Sequence, residues 1–452
     1  MVKLWQEESA AWRVELELDG PGGALALRTG VQGRVLIVGL GKDPGLETLR
    51  RAAAKAVKAL RERGADSAVL DAARAVKARG PQGAAALAQG AQLACYRQPA
   101  WKEREDTPFT LYLAGAEGLE DALAQADAVT RAVCFARDLV NCPANLLTPQ
   151  DMAQRMAQAA GPLGVEVEIL DGDRTRALGM GAYHAVADSA VHPPQLIVLR
   201  WRGGREGAPP IALVGKGVCC DTGGYCLKTA AGLKGTRGDM AGGAAVCGAV
   251  LALAENKAPV NAVAVIPAVE NRLSADSFLP GDVIRSMSGK TIQVNNTDAE
   301  GRLILADAIT YAIQQEGAGR VVDIATLTGA CVAALGFTTA GLLTNDEGLF
   351  HTFLSAAERA GEQYWRFPGF PEYRKMIESP VADLCNQSSD GCGAITAGLF
   401  VGAFAESLPW IHLDIAGTAW VDRPRWEYQT AGATGAGVTT LYELCRELSD
   451  AP

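Results

Sequence analysis

Two carboxylates stand two positions apart in a short polar stretch of this chain, residues 296–302, which reads Asn-Thr-Asp-Ala-Glu-Gly-Arg. Apolar residues flank the stretch on both sides. In an extended segment, side chains two positions apart leave the backbone on the same face, so Asp298 and Glu300 would converge. Converging carboxylates in an apolar setting are costly to bury, and a divalent cation between them would offset that cost. Taken alone, the stretch is equally compatible with a surface ion-pair turn that includes Arg302.

A second segment, residues 211–228, places further charges in an apolar context. It begins as a buried strand at 211–214 and then breaks into a glycine-rich loop that carries Lys216, Asp221 and Lys228. A third segment carries Asp239 at the start of a long apolar helical pattern that runs to about residue 255. A carboxylate is favoured at a helix N-terminus by the helix dipole and by the free N–H groups. These charges therefore do not fit a simple solvated face.

The three segments together resemble the leucine aminopeptidase family, whose members are cytosolic exopeptidases with two metal ions in the C-terminal domain. The family's fingerprint is intact at 296–302, and its glycine-rich loop with the lysine that follows is intact at 215–228. Asp239 stands where the family has its next aspartate. Further matches, which extend the resemblance over nearly all of 137–445, lie at 323–330, 393–397, 412–420 and 432–435.

The resemblance implies a role for each charged residue of the three segments. The implied metal ligands are Lys216, Asp221, Asp239, Asp298 and Glu300. The implied catalytic pair is Lys228, which would stabilise the oxyanion, and Arg302, which would hold a bicarbonate ion that serves as general base. Carboxylates and an amine suit two divalent ions, Zn²⁺ or Mn²⁺ before Mg²⁺ or Co²⁺. A water that bridges the two metals would be the nucleophile, and capture of the substrate's α-amine by a metal would explain trimming from the N-terminus.

The resemblance also places residues around the substrate's first side chain. Thr236 stands where relatives usually have a methionine, so the pocket wall is shorter and carries a hydroxyl. A methylene or two changes discrimination between substrates by only ~1–3 kcal/mol, so a preference for leucine does not follow. The other pocket positions match the family and are Asn296, Ala299, Thr326 and Leu327.

The histidines and cysteines have simpler interpretations. The chain has four histidines without ligand-like spacing, and His412 is expected to be a packed residue of a buried strand. Its eleven cysteines are scattered and no secretory signal precedes them, which predicts reduced thiols and a cytoplasmic location. Cys219 and Cys220 directly precede Asp221 and are expected to be small apolar fillers. The alternative is that one of them is accessible to oxidation or to a soft metal.

Length and composition predict a two-domain α/β enzyme. The chain has 452 residues, 48% of them apolar and 21% charged, which is typical of globular proteins larger than one core. Short apolar strands alternate with alanine-rich helices in residues 1–130, which predicts an N-terminal α/β sandwich used for assembly or access. A helix and a Pro/Asn-rich linker at 131–150 lead into a larger C-terminal α/β peptidase domain, 151–452, with a mixed central sheet.

The resulting prediction is a metal-dependent aminopeptidase that acts on peptides. The resemblance implies a homo-hexamer whose active sites face an inner cavity. No membrane span is expected, because no apolar run approaches ~20 residues. The net charge of −9 makes nucleic acid an unlikely partner. Two alternatives remain at this point: an aminopeptidase that also binds DNA, and a non-catalytic scaffold relative, although a scaffold would be expected to have lost a ligand.

Overall fold

A computed structural model describes residues 1–4, 12–17, 24–30, 33–103 and 108–449 of the chain. It divides into two compact units. The first consists of Met1–Cys134 and Asp422–Gly432, and the second of Phe135–Val421 and Ala433–Pro452.

The first unit is built on a six-stranded sheet, β1-β6-β5-β2-β4-β3, in which every neighbouring pair is parallel except β3 with β4. The short apolar strands and alanine-rich helices expected in residues 1–130 form here. The elements are β1 (Val2–Leu4), β2 (Trp12–Glu17), β3 (Leu25–Gly30), β4 (Gly33–Gly39), α1 (Leu46–Arg61), β5 (Ser67–Asp71), α2 (Ala73–Arg79), α3 (Pro81–Cys95), β6 (Thr110–Ala114) and α4 (Glu120–Asn141).

The segment 422–432 lies in the first unit, although the predicted catalytic domain, 151–452, included it. Side chains of α1 hold this segment. Arg51 lies 2.5 Å from a carboxylate oxygen of Glu427 and stacks on the indole of Trp426, and Glu47 accepts a hydrogen bond from Tyr428. Partners more than 370 positions apart along the chain leave no trace in a local pattern. The other boundary, after Cys134, falls inside α4.

The second unit contains the remaining elements. Its helix α5 begins with a capping box, in which the Thr148 hydroxyl accepts from the Asp151 N–H and the Asp151 carboxylate accepts from the Thr148 N–H. The elements are α5 (Pro149–Ala160), β7 (Glu166–Leu170), α6 (Gly172–Ala177), α7 (Gly181–Ala187), β8 (Gln195–Arg202), β9 (Ile211–Gly215), β10 (Gly217–Asp221), α8 (Ala241–Glu255), β11 (Asn261–Asn271), β12 (Val283–Arg285), β13 (Thr291–Gln293), α9 (Gly301–Gln314), β14 (Arg320–Ala325), α10 (Gly329–Leu335), β15 (Thr339–Thr344), α11 (Glu347–Ala360), β16 (Gln363–Arg366), α12 (Pro371–Lys375), β17 (Leu384–Cys385), α13 (Gly393–Gly402), β18 (Trp410–Asp414), β19 (Trp420–Val421), β20 (Gly432–Ala433) and α14 (Val438–Ser449).

A mixed nine-stranded sheet organises this unit, as predicted. Its order is β16-β15-β18-β14-β9-β11-β8-β7, with β10 paired to β11. Strands β18, β14, β9 and β11 are mutually parallel, so their carboxyl ends meet at one edge. Open α/β sheets bind ligands at that edge. The loops that leave β9, β10 and β14 there carry half of the predicted site residues.

Helices α8 and α9 supply much of the core beside this sheet. Every residue of α8 from Ala241 to Ala254 is buried, as are the residues of α9 from Gly301 to Ala312. The helical stretch Gly232–Glu255 has the length and apolar composition of a membrane span, but 83% of its most apolar window is buried inside the protein. That burial is characteristic of a core helix.

Candidate metal centre and active site

Lys216 occupies the centre of the site, between β9 and β10, and is 3% exposed. Its Nζ atom lies 2.8 Å from Asp239 Oδ2 and 2.8 Å from Glu300 Oε1, and it donates to the Thr326 carbonyl at 3.0 Å. A Cβ at position 301 would lie 2.8 Å from the same Nζ. Glycine at position 301 therefore leaves the space that the lysine side chain fills.

Asp221 and Lys228 flank the tight loop that follows β10. The loop turns through Gly223 and Gly224, whose φ angles of +88° and +62° favour glycine. The first carboxylate oxygen of Asp221 accepts from the Gly223 N–H at 3.0 Å and from the Asn271 amide at 2.9 Å. Its second oxygen lies 2.7 Å from Lys228 Nζ. The Lys228 ammonium also contacts the Asp298 carboxylate, so it joins the loop to the 296–302 segment.

The 296–302 segment is a turn that leads into α9, and the prediction of an extended conformation was wrong. The Asp298 N–H donates to the Asn296 side-chain oxygen at 2.8 Å, which closes the turn, and Glu300 stands at the N-cap of the helix. The two side chains still converge. Carboxylate oxygens of Asp221, Asp298 and Glu300 all lie within 4.8 Å of one another.

Asp239 reaches the same cluster from another direction. It lies two residues before the first residue of α8 rather than in the helix's first turn, and Met240 is the N-cap. Its carboxylate accepts a hydrogen bond from the Thr326 hydroxyl at 2.7 Å in addition to its contact with Lys216. The cluster of Lys216, Asp239 and Thr326, rather than the helix dipole alone, thus holds the carboxylate.

The charges of this cluster do not balance. Four carboxylates, those of Asp221, Asp239, Asp298 and Glu300, face the ammonium groups of two lysines. Burial raises the pKa of Asp239 and Asp298, and burial together with the nearby Asp221 raises the pKa of Glu300 to about 8. Only Asp221 has a lowered pKa, because the charges of Lys228 and Lys216 outweigh its burial.

The two lysines respond in the opposite way. Burial alone would lower the pKa of Lys216 and of Lys228, but the surrounding carboxylates raise both above the usual lysine value. Two buried carboxylate oxygens, Asp239 Oδ2 and Glu300 Oε1, share the single Lys216 ammonium, each at 2.8 Å. Oxygen-rich donors with excess negative charge fit divalent cations. A cation that takes Lys216 as a ligand must displace its proton, because only the free amine can coordinate.

Arg302 lies in the first turn of α9 and is 6% exposed. The helix, rather than an extended strand, therefore places it next to Glu300. One of its terminal nitrogens donates to the Asn386 carbonyl at 2.5 Å, and its Nε has no hydrogen-bond partner in the described part of the chain. Burial lowers the pKa of Arg302 to about 10, in spite of the opposing effect of Glu300. A buried guanidinium with a free donor is suited to an anion.

The predicted pocket residues lie around this cluster. The Thr236 side chain lies beside Cys220, the neighbour of Asp221. Asn296 and Ala299 belong to the turn that carries Asp298, and Thr326 touches both Lys216 and Asp239. Leu327 follows Thr326, and its N–H donates to Asp414 at 3.2 Å. The structure therefore brings all twelve predicted site residues to one edge of the sheet; their individual roles stay predictions.

The histidine and cysteine interpretations agree with the structure. His412 is fully buried in β18, with its Nδ1 atom 2.5 Å from Asp323. Cys219 and Cys220 are both buried, and burial raises the pKa of each thiol, as expected of apolar fillers.

Sequence reasoning missed two buried asparagines that hold the site. The Asn271 amide donates both to Asp221 and to the Thr297 carbonyl, at 2.9 and 3.0 Å. Asn386 contacts the turn at 295–299 and Arg302. Asn271 ends a strand and Asn386 follows one, and no local feature of the sequence separates them from the other asparagines.

Comparisons with known proteins agree over both units. Residues 134–442 match the model described as the cytosol aminopeptidase family, catalytic domain, and residues 21–105 match that of the family's N-terminal domain. A "probable cytosol aminopeptidase" of Alkaliphilus oremlandii is 41% identical over 427 residues, which cover 92% of this chain and 85% of the relative. Another, of Roseiflexus castenholzii, is 39% identical and covers 99% and 96%.

Two solved structures are also similar. The bottromycin maturation enzyme BotP in complex with Mn has a TM-score of 0.90 at 34% identity, and the match covers 98% of this chain and 100% of BotP. A mutant of tomato leucine aminopeptidase has a TM-score of 0.87 at 31% identity, with 98% and 95% covered.

Proposed function

This chain belongs to the cytosol aminopeptidase family and is a metal-dependent aminopeptidase, and from that premise we propose how its own residues perform the reaction. The proposal is that two divalent ions bind Lys216, Asp221, Asp239, Asp298 and Glu300, and that the enzyme removes the N-terminal residue from peptides. The observation that carries it is the convergence of buried and half-buried carboxylates in excess over ammonium groups, with oxygens of three of them within 4.8 Å.

Divalent ions bound there would supply Lewis acidity, which lowers the pKa of water and polarises a carbonyl. Zn²⁺ and Mn²⁺ are the proposed ions, and the Mn in the BotP complex supports manganese. Lys228 stands at the rim of the carboxylates with its side chain 24% exposed, so its ammonium can reach a substrate. In the reaction it would remain charged and stabilise the developing oxyanion.

Arg302 would anchor the general base. Its guanidinium is buried beside Glu300 and Asn386 and keeps an unpartnered Nε. We propose that Arg302 would hold a bicarbonate ion, which would supply a general base near the metals. Bicarbonate-free buffer should then slow turnover by the wild type and leave Arg302→Ala, already slow, unchanged. Equal wild-type rates with and without bicarbonate would contradict this role.

The decisive experiment removes and restores metal. Exhaustive chelation should abolish release of the N-terminal residue from aminoacyl fluorogenic substrates, and Mn²⁺ or Zn²⁺ should restore it. A substrate with an acetylated α-amine should not be cleaved, because the free amine is part of the proposed recognition. Asp221→Asn should lose metal and activity, whereas the matched Asp188→Asn, which changes an aspartate paired with Arg176, should keep both. Activity that survives chelation would overturn the proposal.

The substrate class and the assembly are proposals of the same kind. Thr236 in place of the family's usual methionine leaves the preferred first residue open, and a panel of aminoacyl substrates would determine it.

We further propose peptides as substrates, a cytoplasmic location in line with the relatives' names, and a homo-hexamer with enclosed active sites. Light scattering that gives a monomer mass at micromolar concentration would contradict the hexamer. An electrophoretic shift at two salt concentrations would test for DNA binding, which the net charge of −9 disfavours.

A further inference from the structure

Asn386 lies outside every motif of the sequence, yet its side chain forms hydrogen bonds with both ends of the turn that carries Asp298. It follows the short strand β17, and its backbone N–H donates to the Gln293 carbonyl at 3.0 Å. This places a fully buried side chain against residues 295–299.

The carboxamide of Asn386 uses its whole hydrogen-bonding capacity on this turn. Its oxygen accepts from the N–H groups of Asn295 and Asn296, at 2.7 and 3.2 Å. Its nitrogen donates to the carbonyls of Asn296 and Ala299, at 2.6 and 3.4 Å. An amide offers two donors and two lone pairs, so all four positions are engaged. These hydrogen bonds hold residues 295 and 296 at one end of the turn and residue 299 at the other, and Asp298 lies between the two ends.

The backbone of the same residue holds Arg302. The Asn386 carbonyl accepts from a terminal guanidinium nitrogen at 2.5 Å. One residue therefore positions both the turn that carries Asp298, which leads directly to Glu300, and Arg302 in the first turn of α9. A side chain that must be placed within ~0.5 Å for catalysis needs partners of this kind.

We propose that Asn386 is a positioning residue that sets the geometry of Asp298 and Arg302 together. The inference rests on the proposed function, because it takes Asp298 as a metal ligand. The alternative is that Asn386 only satisfies buried backbone groups and contributes stability without affecting the site. Loss of an outer-shell partner typically reduces metal affinity or activity by ~10–100-fold, whereas a purely structural bond would change neither.

The test compares Asn386→Ala with Asn345→Ala. The Asn345 amide also bridges backbone groups, donating to the Leu408 carbonyl at 2.9 Å and accepting from the Trp410 N–H at 2.8 Å, but it contacts no site residue. Each chelated protein is titrated with Mn²⁺ by calorimetry, its thermal unfolding is recorded, and kcat and KM are measured after Mn²⁺ is restored. Asn386→Ala should bind Mn²⁺ ~10–100-fold more weakly and lose kcat by a similar factor with little change in KM. Asn345→Ala should lower the unfolding temperature and leave Mn²⁺ affinity and kcat within twofold.

Asn386→Asp keeps the test decisive if the alanine variant does not fold. It retains an oxygen for the two N–H groups and sets its second carboxyl oxygen against the carbonyls of Asn296 and Ala299, so it should show a loss of the same kind. Folded Asn386 variants with wild-type Mn²⁺ affinity and kcat would overturn the inference while leaving the proposed function intact. A wild-type protein that binds no Mn²⁺, or that stays active after chelation, would overturn the proposed function and the inference with it.

Discussion

Two clusters of charged residues lie in the second unit, and they are built in opposite ways. The site cluster comprises Lys216, Asp221, Lys228, Asp239, Asp298 and Glu300. The edge cluster, on β7, β8 and their neighbours, comprises Glu166, Glu168, Arg174, Arg200, Arg202 and Glu316. The edge cluster matches three carboxylates with three guanidinium groups, whereas the site cluster sets four carboxylates against two ammonium groups.

The two clusters differ in the partners and in the pKa values of their carboxylates. Arg200 forms hydrogen bonds with Glu166, Glu168 and both oxygens of Glu316. Hydrogen bonds from Arg200 and Arg174 lower the pKa of Glu168. In the site cluster, burial raises the pKa of three of the four acids, and the carboxylates of Asp239 and Glu300 share the single ammonium of Lys216. The charges of the edge cluster balance among its own residues, whereas the charges of the site cluster balance only when further positive charge is added. Perturbed pKa values of this second kind mark functional sites.

The largest expected effect belongs to Lys228. Lys228→Ala should reduce kcat by ~10²–10³, because a donor to the developing oxyanion is lost. Metal content should stay at the wild-type level, since the change removes a positive charge from the carboxylates. The measurements are steady-state kinetics and metal analysis after gel filtration. Near-normal turnover, or loss of metal, would show that the role assigned to Lys228 is wrong.

Glu300→Gln tests whether the site cluster depends on metal for its stability. At about 100 times its Kd, a ligand that binds only the folded state stabilises it by ~2.7 kcal/mol. The wild type should show an increase in unfolding temperature of that origin with Mn²⁺, and Glu300→Gln should lose most of it. The chelated forms should be similarly stable only near about pH 4, where the Glu300 carboxyl is protonated, and therefore amide-like, in both the folded and the unfolded state.

Without metal, the difference in stability between the wild type and Glu300→Gln should depend on pH. The folded-state pKa of Glu300 is raised from 4.5 to about 8, so the folded state binds the extra proton between these values. The stability of the chelated wild type relative to Glu300→Gln should therefore fall as the pH rises from about 4.5 to about 8. Urea unfolding across this range measures it, and a constant difference would contradict the raised pKa.

Glu316→Gln is the matched change in the edge cluster. The Glu316 and Arg200 side chains are 8% and 12% exposed, so their paired hydrogen bonds are largely shielded from water. Loss of the charged acceptor should destabilise the fold by ~1–3 kcal/mol. Mn²⁺ affinity and kcat should not change, because this cluster contacts no site residue. A reduced kcat at full metal occupancy would remove the distinction between the two clusters.

The smallest effect is expected at Glu168, where the pH dependence has the opposite sign. Its pKa is lowered in the folded state, so its contribution is present above about pH 4.5 and is lost as the pH falls towards the folded-state pKa. Part of the side chain is solvated, which limits the contribution to ~0.2–1 kcal/mol. Glu168→Gln should therefore flatten the acid side of the stability profile slightly. A steeper acid side in the variant would contradict the lowered pKa.

The sequence by itself determined which residues could do chemistry. Asp298, Glu300 and Arg302 lie within five positions, and Asp221 lies within seven of Lys228, so short-range spacing was enough to mark them. Long apolar patterns were likewise enough for the strand at 211–214, the helix that ends at Glu255 and the α/β class. These properties are local, because a pattern of residue types within one segment carries them.

Only the tertiary structure decided how those residues are held. The stretch at 296–302 is a turn rather than a strand, and Asn386, 84 to 91 positions away from its partners, bonds to both of its ends and to Arg302. Segment 422–432 joined the first unit through partners on α1. Folding brings β9, β10 and the turn at 296–302 together. Their arrangement determines that Asp239 and Glu300 contact Lys216, whereas Asp221 and Asp298 contact Lys228. Hydrogen bonds and ion pairs between distant segments form only when the chain folds, so no local pattern contains them.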